Sequence, residues 1–202
     1  LQILLQAEHD GRLANRNARL IKDARFRYKA SIQDSLFDST RGIDKSKIMS
    51  LATCDYIRQG ASVIITGAAG TGKSWLGSAL GHQACLHGFK TAYYGMQKLF
   101  ERIDMARIEG TLPKFFDRTA ATDLLIIDDF GVKVLDGQQL LDFMEIIEDR
   151  HARKSTIIIS QLPVSEWYDI LKANTTAADA ILDRIVHTAT RFELKGDSLR
   201  KK

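Results

Sequence analysis

Residues 67–74 read Gly67-Ala68-Ala69-Gly70-Thr71-Gly72-Lys73-Ser74, the spacing of a phosphate-binding loop: Gly, four residues, Gly, Lys, Ser. Glycines reach backbone angles closed to other residues, so successive N–H groups can converge on one anion. Lys73 adds a mobile charge for the β- and γ-phosphates of a nucleoside triphosphate, and Ser74 offers a hydroxyl to a magnesium ion. The helix that should begin there, with Trp75 in its first turn, aims its positive end at the phosphates. An ordinary glycine-rich turn could carry the same letters. The apolar run 62–66 before the loop and the helical stretch after it argue for the phosphate site.

A second chemistry-bearing element is the pair Asp128-Asp129, which closes an apolar run begun at Asp123. Asp128 suits a magnesium ion or its bound water, since magnesium keeps waters and takes one or two carboxylates plus phosphate oxygens. Asp129, one residue on and pointing elsewhere, could orient and deprotonate an attacking water. A helix cap or turn is the structural alternative. The apolar run 156–159 likewise ends in a polar pair, Ser160-Gln161.

These groups need a scaffold that brings strand ends together. Runs 62–66, 91–94, 123–129, 156–159 and 189–194 read as strands, and most are apolar throughout, as parallel strands buried on both faces are. Between them lie helical stretches at 73–87, 96–109 (broken at 110–113), 137–152, 165–171 and 177–186, with a short helix at 51–59 closed by Gly60. Alternating strands and helices specify an α/β fold with a parallel sheet flanked by helices. In such sheets ligands sit at the carboxyl ends of the strands, where the phosphate loop, Asp128-Asp129 and Ser160-Gln161 fall.

The chain has 202 residues, 45% hydrophobic and 27% charged, enough for one full core. Its two cysteines, Cys54 and Cys85, lack metal-ligand spacing and suit a reducing compartment, so a cytoplasmic protein is expected. No apolar run reaches the roughly 18 residues of a membrane span, and no signal peptide precedes the first element, so no membrane partner is expected. The first residue is Leu rather than Met, which leaves room for residues upstream. Residues 1–30 carry seven Lys/Arg against three acids, so the whole net charge of +4 resides there. On a helical wheel Arg12, Arg16 and Arg19 span about 60°, while Leu13, Leu20, Ile21 and Ala24 occupy another face. Such a helix, with Lys22, can track a nucleic-acid backbone; equally it can be a solvated helix packed by its apolar stripe. Residues 31–46 read as a linker, dividing a basic helical segment, 1–45, from the main domain, 46–202.

The phosphate loop, Leu124-Leu125-Ile126-Ile127-Asp128-Asp129-Phe130-Gly131, the run 155–163 with Ser165-Glu166-Trp167, the Asp183-Arg184-Ile185 segment and the closing run 194–201 together resemble the IstB family. Its members are AAA+ ATPases that assist the transposase of bacterial insertion sequences and are related to DnaC-type helicase loaders. The resemblance implies a P-loop NTPase fold of the AAA+ type with a five-stranded parallel sheet and a small helical amino-terminal segment. It implies ATP and Mg2+ as cofactors, and duplex DNA, a transposase of the same element and self-assembly into a ring or spiral as partners. Arg184 matches the arginine finger that reaches a neighbouring subunit's γ-phosphate, Gln161 with Ser160 the first sensor, and Arg200 the second. The family's channel-facing helical insert corresponds to about residues 96–118, where Lys98, Arg102, Arg107 and Lys114 become candidate DNA contacts beside acids that nearly balance them. Two departures matter: many relatives carry Asp-Glu in place of Asp128-Asp129, and usually Asn in place of Gln161. The first leaves the presumed base one methylene shorter.

Three readings follow. An ATPase that oligomerises on duplex DNA and delivers it to a transposase is favoured; a DnaC-like loader of a replicative helicase and a nucleotide-gated switch with negligible hydrolysis stand beside it.

Overall fold

A computed structural model describes residues 2–34, 39–187 and 189–199. Five strands, β1 (Val63–Gly67), β2 (Thr91–Gly95), β3 (Leu124–Phe130), β4 (Ser155–Ser160) and β5 (Thr190–Leu194), form one sheet in the order β2-β3-β4-β1-β5. Every pairing is parallel, with Ile64 opposite Ile158 and Ile126 opposite Ile157. Because β1 enters the sheet between β4 and β5, its phosphate loop emerges one strand in from the β5 edge.

The helices are α1 (Gln2–Ala24), α2 (Lys45–Ala52), α3 (Asp55–Arg58), α4 (Lys73–Leu86), α5 (Met96–Ile108), α6 (Leu112–Ala120), α7 (Gly137–Arg150), α8 (Trp167–Leu171) and α9 (Thr175–Val186). Side chains alternate along the strands, so each strand feeds two cores. Ile64, Leu125, Ile127 and Ile158 face Leu99, Ile103, Phe143, Trp167 and Ile181 from α5 and α7 to α9. Val63, Ile65, Leu124, Ile126, Ile157 and Ile159 face Ile48, Leu76 and Leu80 from α2 and α4. With both faces covered, each inward Ile or Leu stabilises the fold by about 1.5–3 kcal/mol. Arg150 ties α6 to the starts of the strands: it is 1% exposed and donates to the carbonyls of Thr119 and Thr122 at 2.7 Å and to Thr156 Oγ1 at 3.0 Å.

The stretch expected as one helix over 51–59 is two. Cys54 adopts a left-handed φ of 63°, which breaks the chain between α2 and α3. Helix α2 also begins inside the expected linker, because Asp44 caps it by accepting the N–H groups of Ser46 and Lys47. The interruption at 110–113 is the turn between α5 and α6, with Pro113 in the first turn of α6, where its missing N–H is harmless.

Helix α1 lays its carboxyl-terminal half on β2 and α4. Ala24 is buried, Leu20 and Ile21 are half-buried, and Asn17 Nδ2 donates to the Leu86 carbonyl at 2.9 Å. Ala30 and Ile32 then enter the core beside α4, with Phe26 and Tyr28 packed against it. Packing therefore crosses the boundary placed at 45/46.

Candidate functional site

Strand β1 runs into the phosphate loop, and two glycines there have no substitute. Gly67 has φ 145°, and a Cβ on it would lie 2.2 Å from the Leu194 carbonyl oxygen. Gly70 has φ 81°, and a Cβ on it would lie 2.1 Å from Ser198 Oγ. The Leu199 N–H donates to the Gly70 carbonyl at 2.9 Å, stitching the carboxyl-terminal segment to the loop. Within the loop the Ala68 carbonyl accepts Thr71 Oγ1 at 2.9 Å and Lys73 Nζ at 2.7 Å. The loop is thus folded around its own lysine. The first-turn N–H groups of α4 have no intrahelical partners, and with the positive helix end they face the cleft.

The carboxylates stand across that cleft. The β3–β4 pairing shifts register between Ile127 and Phe130, and Asp129 has φ 57°. In a regular strand, successive side chains point to opposite faces; this bulge instead turns both carboxylates toward one cation. Asp128 and Asp129 were expected to point apart, yet Arg27 Nη1 donates to Asp128 Oδ2 at 3.2 Å and to Asp129 Oδ2 at 3.0 Å. Asp128, 2% exposed at its side chain, also accepts the Tyr93 hydroxyl at Oδ2 and the Asp129 N–H at Oδ1, the latter at 2.8 Å. Burial lowers the Arg27 pKa, but the bonds and charges of Asp128 and Asp129 more than offset this and hold it above the ordinary arginine value. Burial and the Asp128 carboxylate push the Tyr93 hydroxyl up as well, so it stays a neutral donor, and it shares a hydrogen bond with Ser74. Neither Arg27 nor Tyr93 belongs to a sequence signature for this site. A tyrosine two residues before the end of an edge strand reads as core, and Arg27 reads as one more charge of a basic segment.

The cleft holds about 270 Å³ and is lined by Ala69, Gly70, Gly72, Lys73, Ser74, Trp75, Asp128, Asp129 and Gln161, with Arg27, Tyr28 and Leu199. Ser160 also borders it, but its hydroxyl donates to the Phe130 carbonyl at 2.7 Å and accepts the Leu162 N–H at 3.0 Å. Ser160 is therefore occupied in holding β4, whereas Gln161 is exposed on the cleft wall. Arg200 lies outside the described residues.

Arg184 lies elsewhere. It borders a hollow with Gln59, Ser62, Lys154 and Thr156, which places it at the amino-terminal ends of β1 and β4. A strand's length, roughly 17 Å, separates that edge from the phosphate loop. Its guanidinium pairs with Glu148 at 2.6 Å and donates to the Ala180 carbonyl at 2.9 Å.

The basic residues divide. Arg12 pairs with Glu8 and Arg19 with Asp23, all on the exposed side of α1, where Lys22 is exposed too. Arg16 Nη2 donates to the Gly88 carbonyl at 3.3 Å. On α5 and α6, Arg102 and Lys114 are exposed and border one groove with Arg118, while Lys98 pairs with Glu101 at 2.6 Å. Arg107 does not belong with them: its Nη2 donates to both oxygens of Asp142, at 2.7 and 2.8 Å, and joins α5 to α7.

The oxygens of Ser74 and Asp128, either side of the Tyr93 hydroxyl, form a hard donor set of the kind magnesium takes. Among the described residues no group of three or more His, Cys, Asp or Glu could hold a metal ion alone. An ion here would rest on one carboxylate, one hydroxyl and the phosphates of a nucleotide. Both cysteines are buried and unpaired with each other, and among the described residues no helix is long and apolar enough to cross a membrane.

Comparison with known proteins agrees with this geometry. The AMPPCP-bound DnaA of Aquifex aeolicus superposes with a TM-score of 0.69 at 17% identity, over 86% of this chain and 53% of that one. The DnaC helicase loader gives 0.64 at 19% identity, over 88% of this chain and 99% of that one. At such identities the likeness establishes the AAA+ fold alone. Sequence relatives go further: the protein y4pL of Sinorhizobium fredii, described as an insertion-sequence ATP-binding protein, is 41% identical over all of this chain and 82% of its own length. The IS1162 ATP-binding protein of Pseudomonas fluorescens is 38% identical over 82% of this chain and 72% of its own. The profile of the IstB-like ATP-binding proteins matches residues 1–202 throughout, and the chain belongs to that family.

Proposed function

We propose that this protein is a magnesium-dependent ATPase that assembles on duplex DNA as a ring or spiral and delivers it as target to the transposase of its insertion sequence, hydrolysis driving disassembly. The observation that carries the reading is the split of the catalytic groups. Lys73, Ser74, Asp128, Asp129 and Gln161 share one cleft, while Arg184 stands at the other end of the sheet. An arginine so placed lies a strand's length from its own subunit's phosphate loop, and in this reading it serves a neighbour's nucleotide.

In the proposed reaction the loop N–H groups and Lys73 hold the β- and γ-phosphates, and Ser74 and Asp128 hold the metal. Magnesium, when bound, neutralises charge developing on the phosphate oxygens. Asp129 accepts the proton of the attacking water, and Gln161 orients that water against the γ-phosphate. Arg184 of an adjacent subunit then stabilises the transition state, a contribution of about 10³–10⁵ in rate where such fingers operate. The exposed cations Arg12, Arg19 and Lys22, with Lys98, Arg102 and Lys114, supply phosphate contacts, which makes DNA binding salt-sensitive and indifferent to sequence.

The test is ATP hydrolysis measured without DNA, with duplex and with single strands. Duplex DNA is expected to raise the rate most, and Lys73→Ala to abolish it. Stimulation by a replicative helicase alone would favour the loader, and nucleotide binding with negligible turnover throughout would favour the switch.

A further inference from the structure

Arg27 is the charged residue of the cleft wall, among the described residues, that serves no step above. It belongs to the segment after α1, where Arg25 takes a left-handed φ of 57° and ends the helix. Its neighbours are anchored: the Phe26 ring meets the Tyr93 ring edge-on with centroids 6.3 Å apart, and it lies over Gly81 of α4, where a Cβ would come within 2.4 Å of it. Ala30 and Ile32 are buried beyond. The backbone is held on both sides while the side chain, 42% exposed, reaches across to two carboxylates.

One guanidinium here balances two negative charges, one of them buried. A buried carboxylate without a counter-charge is costly, so Asp128 needs this arginine or another cation in its place. A divalent cation carried in on a triphosphate needs the same oxygens. Asp128 already accepts three donors, and the Tyr93 hydroxyl and the Asp129 N–H are fixed by buried or backbone geometry. The Arg27 side chain is the donor free to swing. Guanidinium and magnesium on one carboxylate pair would repel. Arg27 also occupies Asp129, the base of the proposed reaction.

From this geometry we propose that Arg27 is a positioning residue of the nucleotide site: a resident counter-ion of Asp128 and Asp129 that the magnesium-bound nucleotide displaces. The inference rests on the cleft being a magnesium-nucleotide site. It follows that Arg27 favours magnesium-free nucleotide, by adding positive charge beside the phosphates, and opposes the magnesium-bound form.

The test is a thermodynamic cycle with a non-hydrolysable ATP analogue, whose affinity is measured by calorimetry in EDTA and in saturating Mg2+ for wild type, Arg27→Gln and Arg27→Lys. The ratio of the two affinities reports how strongly metal and nucleotide assist one another. In Arg27→Gln, binding in EDTA weakens while binding in Mg2+ holds or tightens, so the ratio rises about tenfold, or about 1.4 kcal/mol. Arg27→Lys keeps the charge and stays within about threefold of wild type. A rise below about threefold in Arg27→Gln, or equal weakening in both conditions, makes Arg27 merely structural and overturns the proposal, as does a Lys variant that behaves like Gln. Wild type that binds no analogue at all would instead sink the nucleotide site itself.

Discussion

Gly70→Ala is a sharp probe of the phosphate loop because the structure fixes its cost from two sides. At φ 81° an L side chain enters the left-handed region, at a cost of about 1–2 kcal/mol. Its Cβ would sit 2.1 Å from Ser198 Oγ and 2.7 Å from Ser198 Cβ, where ordinary contact begins at 3.4 Å. Forcing extra bulk into a packed site costs about 1–3 kcal/mol. The strain can relax only by pushing residues 198–199 away or by opening the loop, which breaks the bond from the Leu199 N–H to the Gly70 carbonyl. Either way the loop loses the shape that receives phosphates, and ATP-analogue affinity by calorimetry should fall at least about 30-fold. Adding Ser198→Gly removes both clashing atoms but not the backbone cost, so the double variant should recover to within about tenfold of wild type. Gly70→Ala that binds within about threefold of wild type, or a double variant no better than the single, refutes the stitched-loop argument.

Other expectations separate residues that look alike in sequence. Arg107→Ala leaves the buried Asp142 carboxylate with the Gln138 amide but no counter-charge and should destabilise the fold by about 1–3 kcal/mol, lowering Tm by several degrees in a thermal scan. Arg102→Ala and Lys114→Ala should leave Tm unchanged and instead flatten the salt dependence of DNA affinity, by about one unit of slope each. Arg184→Ala loses the partly exposed pair with Glu148 and the bond to the Ala180 carbonyl, together about 1–2 kcal/mol, so the fold and analogue affinity should hold while DNA-stimulated hydrolysis falls about 10³-fold. Burial pushes the Cys54 and Cys85 thiols up to about 11, so the native protein should resist alkylation at about pH 8, about three units below those values, and both should react once urea unfolds it.

Features with local causes were legible in the sequence. The phosphate loop is a chain-local shape set by its glycines, and apolar runs such as 124–127 announce strands covered on both faces, so the parallel sheet and the placement of Lys73, Ser74 and Asp128 followed from the letters. What was not legible depends on residues far apart in the chain. The Arg27–Asp128 pair joins positions 101 residues apart, and Tyr93 reaches Asp128 only because β2 lies beside β3. The bulge that turns Asp129 alongside Asp128 leaves no trace in the letters Asp-Asp. The role of Arg107 was obscured for the same reason, since its partner Asp142 lies on another helix. The break at Cys54 defied propensity altogether, for a cysteine carries no signal for a left-handed φ.

If nucleotide held in the cleft is completed by Arg184 of an adjacent subunit, ATP governs assembly on DNA. The most direct test is the mass of the particle in solution, measured by light scattering or sedimentation with and without ATP analogue, Mg2+ and long duplex DNA. Large oligomers are expected only when all three are present, and both Lys73→Ala and Arg184→Ala should abolish them. A wild-type protein that stays monomeric under every condition, or an Arg184→Ala variant that assembles as wild type does, would contradict this assembly.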